Sequence, residues 1–251
     1  MFSWGLTANG RLGLGRLKSS SYDTNETKIP WCQCNPTMIQ NLIREDIIDV
    51  SAGTKHALAV TSKGDVYAWG SNSAGECSVM YTASNNTESI AMSIQSVGLH
   101  SIDQVKAPTI WDDVWVPRKI TYFGDGKAEI QAKSVAAGGS HSAVVDKDGI
   151  LYSWGGGGDN QCLGHGDSSN YEYGIRQQTD ALQRQFNTMS GHLQSPPWAF
   201  PRIMKGLRHC KVSSVSLGGK HGAALTDTNM IYVWGKQQPD IIKVKFGGIG
   251  K

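Results

Sequence analysis

The chain has 251 residues with a net charge of +3, and it contains 30 glycines and 39% hydrophobic but only 18% charged residues. This composition is typical of a turn-rich all-β protein, and the weak positive charge does not by itself indicate a nucleic-acid-binding protein. No stretch approaches the roughly 18 consecutive apolar residues that a membrane-spanning helix needs.

The chain opens on a tryptophan–glycine pair, Trp4-Gly5, followed by a glycine-rich loop that reads N-G-R-L-G-L-G over residues 9–15. The loop does not match the P-loop pattern and no helix follows it, so we interpret it as a turn rather than a nucleotide site. No basic segment with an apolar core precedes it, which favours an intracellular protein, cytoplasmic or nuclear.

A fixed frame then recurs three times: a histidine is followed thirteen residues later by a tryptophan–glycine pair, with a tyrosine two residues before the tryptophan. A recurring frame of this kind indicates a repeat architecture. The repeated positions, each with a glycine three residues before its histidine, are Gly53, His56, Tyr67, Trp69 and Gly70; Gly138, His141, Tyr152, Trp154 and Gly155; and Gly218, His221, Tyr232, Trp234 and Gly235.

Each copy contains two short apolar runs separated by a turn, a pattern that predicts a β-hairpin. Gly64, Gly149 and Asn229 occupy the same place in the three turns, eight residues after the histidine. Glycine and asparagine are the residues that tolerate a positive φ, so we expect the three turns to share one conformation.

A proline-led run precedes each histidine, at Pro36, Pro117 and Pro201, and a further such run starts at Pro239. We therefore predict three full units of three or four short strands, the content of a propeller blade. The units are residues 36–78, 117–166 and 201–236, with partial units at 1–15 and 237–251 and insertions at 79–116 and 167–200.

These residues resemble the repeats of regulator of chromosome condensation 1 (RCC1). The family pattern joins P-x-x-V/I to G-x-x-H, a turn glycine, V-Y-x-W-G and an N-x-x-G-Q-L-G-x-G loop. The resemblance implies a single β-propeller domain over residues 1–251. Asn229 replaces the turn glycine, and the third copy lacks the final glycine loop.

The main structural question is whether a chain of this length can form a closed propeller ring. Rings of this family usually have about seven blades, within the general range of propellers, whereas this chain carries three full copies and partial pieces. We expect an incomplete or fragmentary propeller. A small ring closed by the strand at Ser3-Trp4, and pairing with a second chain, remain alternatives.

The repeated residues are interpreted as structural, because an active site is a single place whereas these residues recur in every copy. The histidines are expected to make buried hydrogen bonds and the tryptophans to supply packing area. Cys32 and Cys34 lack the second pair that a zinc site needs, so we predict two buried or free thiols rather than a zinc site. We predict no catalytic residue, no cofactor and no metal.

The two insertions are the candidates for partner binding, because long loops on a rigid scaffold often carry function. The first ends in two tryptophans that flank two aspartates, a composition suited to anchoring a protein partner. The second predicts a short helix over residues 176–186 and an extended stretch before a further tryptophan. The candidate partner-binding residues are Trp111, Asp112, Asp113, Trp115 and Trp198.

The resemblance implies two classes of function, and fold alone does not choose between them. We predict a non-catalytic interaction or regulatory module that binds another protein. The alternative is guanine-nucleotide exchange on a small GTPase, which requires a wedge loop that no residue here matches. Association with chromatin or nucleic acid stays open as a third, weaker alternative.

Overall fold

The computed structural model describes residues 1–15, 32–78, 112–123, 130–156, 160–165, 197–235 and 238–245. Within these ranges the chain forms one two-stranded sheet and three four-stranded antiparallel sheets. One short helix, α1, covers Asn160–Leu163, and 3-10 turns cover Ala8–Gly10, Gln40–Leu42, Pro197–Ala199 and Lys205–Leu207. The expected all-β class is confirmed. The predicted helix over residues 176–186 lies outside the described residues.

The strands follow one another along the chain and fill the sheets in order. The half sheet contains β1 (Phe2–Leu6) and β2 (Cys32–Met38). The first sheet contains β3 (Ile47–Ala52), β4 (His56–Thr61), β5 (Val66–Gly70) and β6 (Val114–Lys119). The second contains β7 (Ala132–Ala137), β8 (His141–Asp146), β9 (Leu151–Gly155) and β10 (Arg202–Ile203), and the third contains β11 (Val212–Leu217), β12 (His221–Thr226), β13 (Met230–Gly235) and β14 (Gln238–Lys245).

The hairpins predicted from the repeat are confirmed. In each four-stranded sheet the histidine strand pairs antiparallel with the tryptophan strand, and the register places each histidine opposite the glycine of its Trp-Gly pair. The turns between them share a left-handed residue, with φ of 87° at Gly64, 82° at Gly149 and 58° at Asn229. Asparagine is among the few other residues that adopt this conformation readily, which explains how the third copy keeps the turn without glycine.

The proline-led strands complete the sheet of the preceding tryptophan rather than the sheet of the following histidine. Strand β6, which contains Pro117, pairs with β5, and β14 pairs with β13 in the same way. In the half sheet, β2 with Pro36 pairs with β1. The repeat read along the sequence and the sheet in space are therefore offset by one strand, and Pro239 lies in the fourth strand of the third sheet.

Successive sheets stack through the first strand of each. The side chains of Asp49 and Ser51 on β3 accept hydrogen bonds of 2.9 Å from the backbone N–H groups of Val135 and Ala137 on β7. The turn residue Gly64 accepts a backbone bond of 3.0 Å from Ala132, and Gly149 accepts one of 2.9 Å from Val212. Two apolar clusters fill the space between the sheets.

Candidate interaction surface

Each buried tryptophan of the repeat joins its sheet to the sheet before it. Trp69, Trp154 and Trp234 are at most 1% exposed. Their indole Nε1–H groups donate to the backbone oxygens of Arg11, Glu76 and Cys162 at 3.0, 2.8 and 3.0 Å. All three acceptors lie in the segment that follows the preceding Trp-Gly pair, so one contact is made three times with different residues.

The histidines at the centre of the stack are buried. His56 and His141 are each 1% exposed. The His56 Nε2 lies 2.9 Å from Ser142 Oγ in the second sheet, and that hydroxyl donates to the backbone oxygen of Glu76 at 2.8 Å. This network assigns the Nε2 proton of His56 to the bond with Ser142. Burial, followed by the proximity of His141, lowers the pKa of His56 to about 4.

The glycine three residues before each histidine allows the sheets to approach. A Cβ on Gly53 would lie 2.3 Å from the backbone oxygen of Gly138 and 2.7 Å from His56 Cε1. A Cβ on Gly138 would meet His141 and the oxygen of Gly218 at 2.6 and 2.7 Å. No side chain fits in these gaps, so the repeated glycines have a packing role.

The half sheet and the first strand of the first sheet expose residues that the repeat buries elsewhere. Trp4 is 61% exposed although its counterpart Trp69 is 1% exposed, and Val50 is 54% exposed although its counterpart Val135 is 6% exposed. Since Asp49 and Ser51 point towards the second sheet, the alternation of a strand directs Val50 away from it. We call the exposed set the leading face; it consists of Phe2, Trp4, Leu6, Ile48 and Val50.

The opposite side of the stack is open as well, but it is less apolar. His221 is exposed, in contrast to the buried His56 and His141. Leu225 is 37% exposed, and a Cβ on Gly219 would meet nothing within 4 Å, whereas one on Gly139 would meet the oxygen of Gly219 at 2.3 Å. The apolar exposure of the described residues is therefore concentrated on the leading face.

The partner-binding residues predicted in the first insertion lie near the N-terminal glycine loop. Asp112 is exposed, and Asp113 accepts a hydrogen bond of 3.0 Å from Asn9 Nδ2. Trp115 is half-buried in β6, and its backbone oxygen accepts a bond of 2.9 Å from Gly15. Trp111 lies outside the described residues. The structure thus brings Asp113 and Trp115 together with the loop, and their partner-binding role stays a prediction.

Trp198, the candidate from the second insertion, lies apart from that group. It is half-buried beside the loop that follows Trp69-Gly70, where a Cβ on Gly75 would be 3.1 Å from its Cζ3. This position places Trp198 against a glycine loop, as Trp115 is placed against the N-terminal one. Its predicted role in partner binding is also untested.

Burial shifts the pKa values of two further groups, Glu76 and His165. Burial raises the pKa of Glu76, whose Oε2 accepts a bond of 2.8 Å from the Ala74 N–H. Burial, then Arg202 and Lys205, lowers the pKa of His165 to about 3. Among the described ranges no group of three His, Cys, Asp or Glu side chains is placed to hold a metal ion. No helix in the same ranges is long and apolar enough to cross a membrane.

The leading face was not anticipated from the sequence. A signal was present in the alternation Phe2-Ser3-Trp4-Gly5-Leu6, which places three large apolar side chains on one side of a strand. Trp4 stands at the place of a tryptophan that is buried in the three full copies. Only the sheet arrangement shows that no described sheet covers it.

Comparisons with known proteins give a consistent result. Sequence models of the regulator of chromosome condensation (RCC1) repeat match residues 1–60 and 63–145, and shorter units match 47–76, 132–161 and 212–238. The ultraviolet-B receptor UVR8 of Arabidopsis thaliana is 28% identical over 275 aligned residues, covering 100% of this chain and 50% of that protein. The human E3 ubiquitin-protein ligase HERC2 is 26% identical over 259 residues, covering 94% of this chain and 4% of the ligase.

Among solved structures, the crystal structure of human WBSCR16 aligns with a TM-score of 0.56 at 21% identity, covering 98% of this chain and 48% of that one. At this level of identity the likeness concerns the fold. The chain spans half or less of the length of each of these relatives.

Proposed function

The chain belongs to the regulator of chromosome condensation (RCC1) repeat family and has its β-propeller type of fold, and on this basis we propose that it is a non-catalytic module that binds another protein. The observation that carries the proposal is the leading face. Phe2, Trp4 and Leu6 are exposed alternate residues of one strand, and adjoining exposed apolar side chains of this kind mark protein-interaction sites in soluble proteins. Tryptophan, here Trp4, is the residue type most enriched among binding hot spots.

The internal contacts of the chain indicate what chemistry suits this face. Trp69 and Val135 are buried against the neighbouring sheets. For Trp69, the glycine-rich loop before it also presents a backbone oxygen to the indole N–H. A partner that offers an apolar strand face and an unpaired carbonyl would satisfy Trp4 in the same way. Burying a side chain of this size contributes roughly 2 kcal/mol or more.

The proposal is tested by quantitative interaction mass spectrometry on the tagged chain. We compare the wild type with Trp4→Ser and with Ile43→Ser, a matched control because Ile43 is 58% exposed but lies in a turn outside the leading face. Loss of a hot-spot tryptophan should reduce retention of specific proteins by about tenfold or more, and the control should retain them. The proposal would be wrong if Trp4→Ser retained the same proteins as the wild type, or if the folded wild type retained no specific protein.

Guanine-nucleotide exchange remains the alternative prediction, and no described residue is assigned to it. Release of a fluorescent GDP analogue from a panel of small GTPases distinguishes the two functions. A binding module leaves the release rate unchanged, whereas an exchange factor accelerates it because it stabilises the nucleotide-free state. Acceleration that survives Trp4→Ser would place the function outside the leading face.

A further inference from the structure

Two exposed thiols lie side by side on the half sheet. Cys32 and Cys34 are both exposed on β2, and their Sγ atoms are 3.9 Å apart, with the Cys34 thiol donating to the Cys32 sulfur. Cys32 pairs directly with Leu6 on β1. Since paired residues in an antiparallel ladder share one face of the sheet, the thiols border the leading face.

The local backbone explains why the sulfur atoms approach. The register of the half sheet shifts between Ser3, opposite Thr37, and Gly5, opposite Gln33, so that β2 carries two extra residues next to Cys34. A bulge of this kind bends the strand and increases its twist. Alternate residues of a strand are about 6.6 Å apart along its axis, and the shorter sulfur–sulfur distance shows that the side chains lean towards each other.

The other cysteines have different surroundings. Cys77 and Cys162 are buried, and the Cys210 thiol donates to Tyr232 Oη at 3.4 Å. The pair supplies only two metal ligands, and the described residues add no third that would make a site. The geometry therefore favours chemistry between the two thiols themselves.

We propose that Cys32 and Cys34 form a reversible intramolecular disulfide by exchange with a low-molecular-weight disulfide, such as that of glutathione. The Cys34 thiolate attacks one sulfur of the small disulfide, forming a mixed disulfide and releasing one small thiolate. The Cys32 thiolate then attacks the Cys34 sulfur and releases the second. Two protein thiols are oxidised, one small disulfide is reduced to two thiols, and the two protons leave on those thiols.

The roles of the two sulfurs follow from their surroundings. The hydrogen bond that the two thiols share raises the pKa of Cys32. Because the thiolate is the nucleophile, Cys32 is poorly suited to the first attack and is assigned the second, intramolecular one. Both thiols are exposed, and exposed disulfides are among those that are readily reduced.

Intact-mass spectrometry and peptide mapping test the proposal on the full chain. The purified chain is treated with glutathione disulfide, the remaining thiols are alkylated, and the masses are read without reductant. The wild type should lose two hydrogens and protect Cys32 and Cys34 from alkylation. Cys32→Ser should instead retain a glutathione adduct at Cys34, and the control Cys210→Ser should behave as the wild type.

Two results would overturn the proposal. One is a wild type that carries only glutathione adducts at Cys32 or Cys34, with no loss of two hydrogens. The other is a disulfide that joins either residue to another cysteine or to a second copy of the chain. Circular dichroism of the untreated variants verifies that they are folded, and reduced glutathione added afterwards should restore both thiols of the wild type.

Discussion

The interior joints of the stack and the leading face use the same repeat residues in opposite environments. Trp69 is 1% exposed and hydrogen-bonded to Arg11, whereas Trp4, at the equivalent position, is 61% exposed. The local sequence around the two is similar, since both precede a glycine with a left-handed φ. The difference comes from the neighbouring sheet. A repeat residue is buried only when an adjacent sheet supplies the surface that packs against it.

The histidines give the same comparison on the other side of the stack. His56 reaches Ser142 of the following sheet and is buried, while His221 belongs to the third sheet and is exposed. The conformation of the hairpin is the same in both, because each histidine pairs with the glycine of its Trp-Gly pair. Substitutions at equivalent positions of different copies therefore separate two contributions to the free energy of unfolding. One comes from the hairpin of the repeat itself, and the other comes from its contact with the neighbouring sheet.

The largest effect is expected from the tryptophans. Trp154→Ala removes a fully buried ring and its bond to Glu76, and should lower the free energy of unfolding by about 3–5 kcal/mol. Trp4→Ala should change it by less than about 1 kcal/mol, because the ring is largely exposed. Urea unfolding followed by tryptophan fluorescence and circular dichroism measures both. Similar losses in the two variants would mean that Trp4 is covered in solution.

The second effect is a pH dependence that arises at the buried histidine. The pKa of His56 is about 4 in the folded chain against an ordinary value of 6.5, so between these values the unfolded state binds more protons. The stability is therefore complete above pH 6.5 and falls as the pH decreases towards 4. The loss is at most about 3 kcal/mol.

A pair of variants isolates that contribution from other titrating groups. The unfolding free energy of the wild type relative to His56→Gln should decrease as the pH falls from 7 to 4. His221→Gln, at the exposed equivalent position, should follow the wild type across the same range. A constant difference between the wild type and His56→Gln would show that His56 has the same pKa in the folded and the unfolded chain.

The third effect concerns the turns. Gly149→Ala places a Cβ about 3.0 Å from Lys211 Cα in a residue with a φ of 82°, and should cost about 1–2 kcal/mol. Asn229→Gly, at the equivalent turn, should change stability by less than about 0.5 kcal/mol because asparagine already adopts the left-handed conformation. Thermal unfolding compares the two, and a neutral Gly149→Ala would contradict the shared turn.

The smallest effect is expected at a contact that belongs to one sheet alone. Lys119 Nζ lies 2.8 Å from Asp65 Oδ1 at a partly exposed site. Lys119→Met should lower the free energy of unfolding by less than about 1 kcal/mol. In high salt the difference between the variant and the wild type should become smaller, because salt screens the ion pair. A larger loss would indicate that this pair supports more than its own hairpin edge.

The predictable part of the fold is the part encoded within a few residues. The His-to-Trp frame and the turn at Gly64, Gly149 and Asn229 predict each hairpin, because pairing and turn are local. The sheet to which a proline-led strand belongs could not be read, since Pro117 is separated from its partner strand β5 by an insertion. A long loop leaves the choice of neighbouring strand open.

The candidate site was less predictable for the same reason. The tryptophans of the first insertion stood out by composition, whereas the exposure of Trp4 and Val50 depends on which sheets are neighbours. The closeness of Cys32 and Cys34 depends on a register shift opposite Trp4. Both properties depend on how the strands pair and stack, which the local sequence pattern does not specify.

The hydrogen bonds of the repeat tryptophans all run in the same direction along the stack of sheets. Every joint is made by a tryptophan of the later sheet and a backbone oxygen of the earlier one, at Arg11, Glu76 and Cys162. A backbone acceptor places no demand on side-chain identity, so the residues that supply it are free to differ, as these three do. At this contact, units can be duplicated or lost in evolution without a compensating change in the acceptor residue, provided that the tryptophan and the geometry of the acceptor segment are kept.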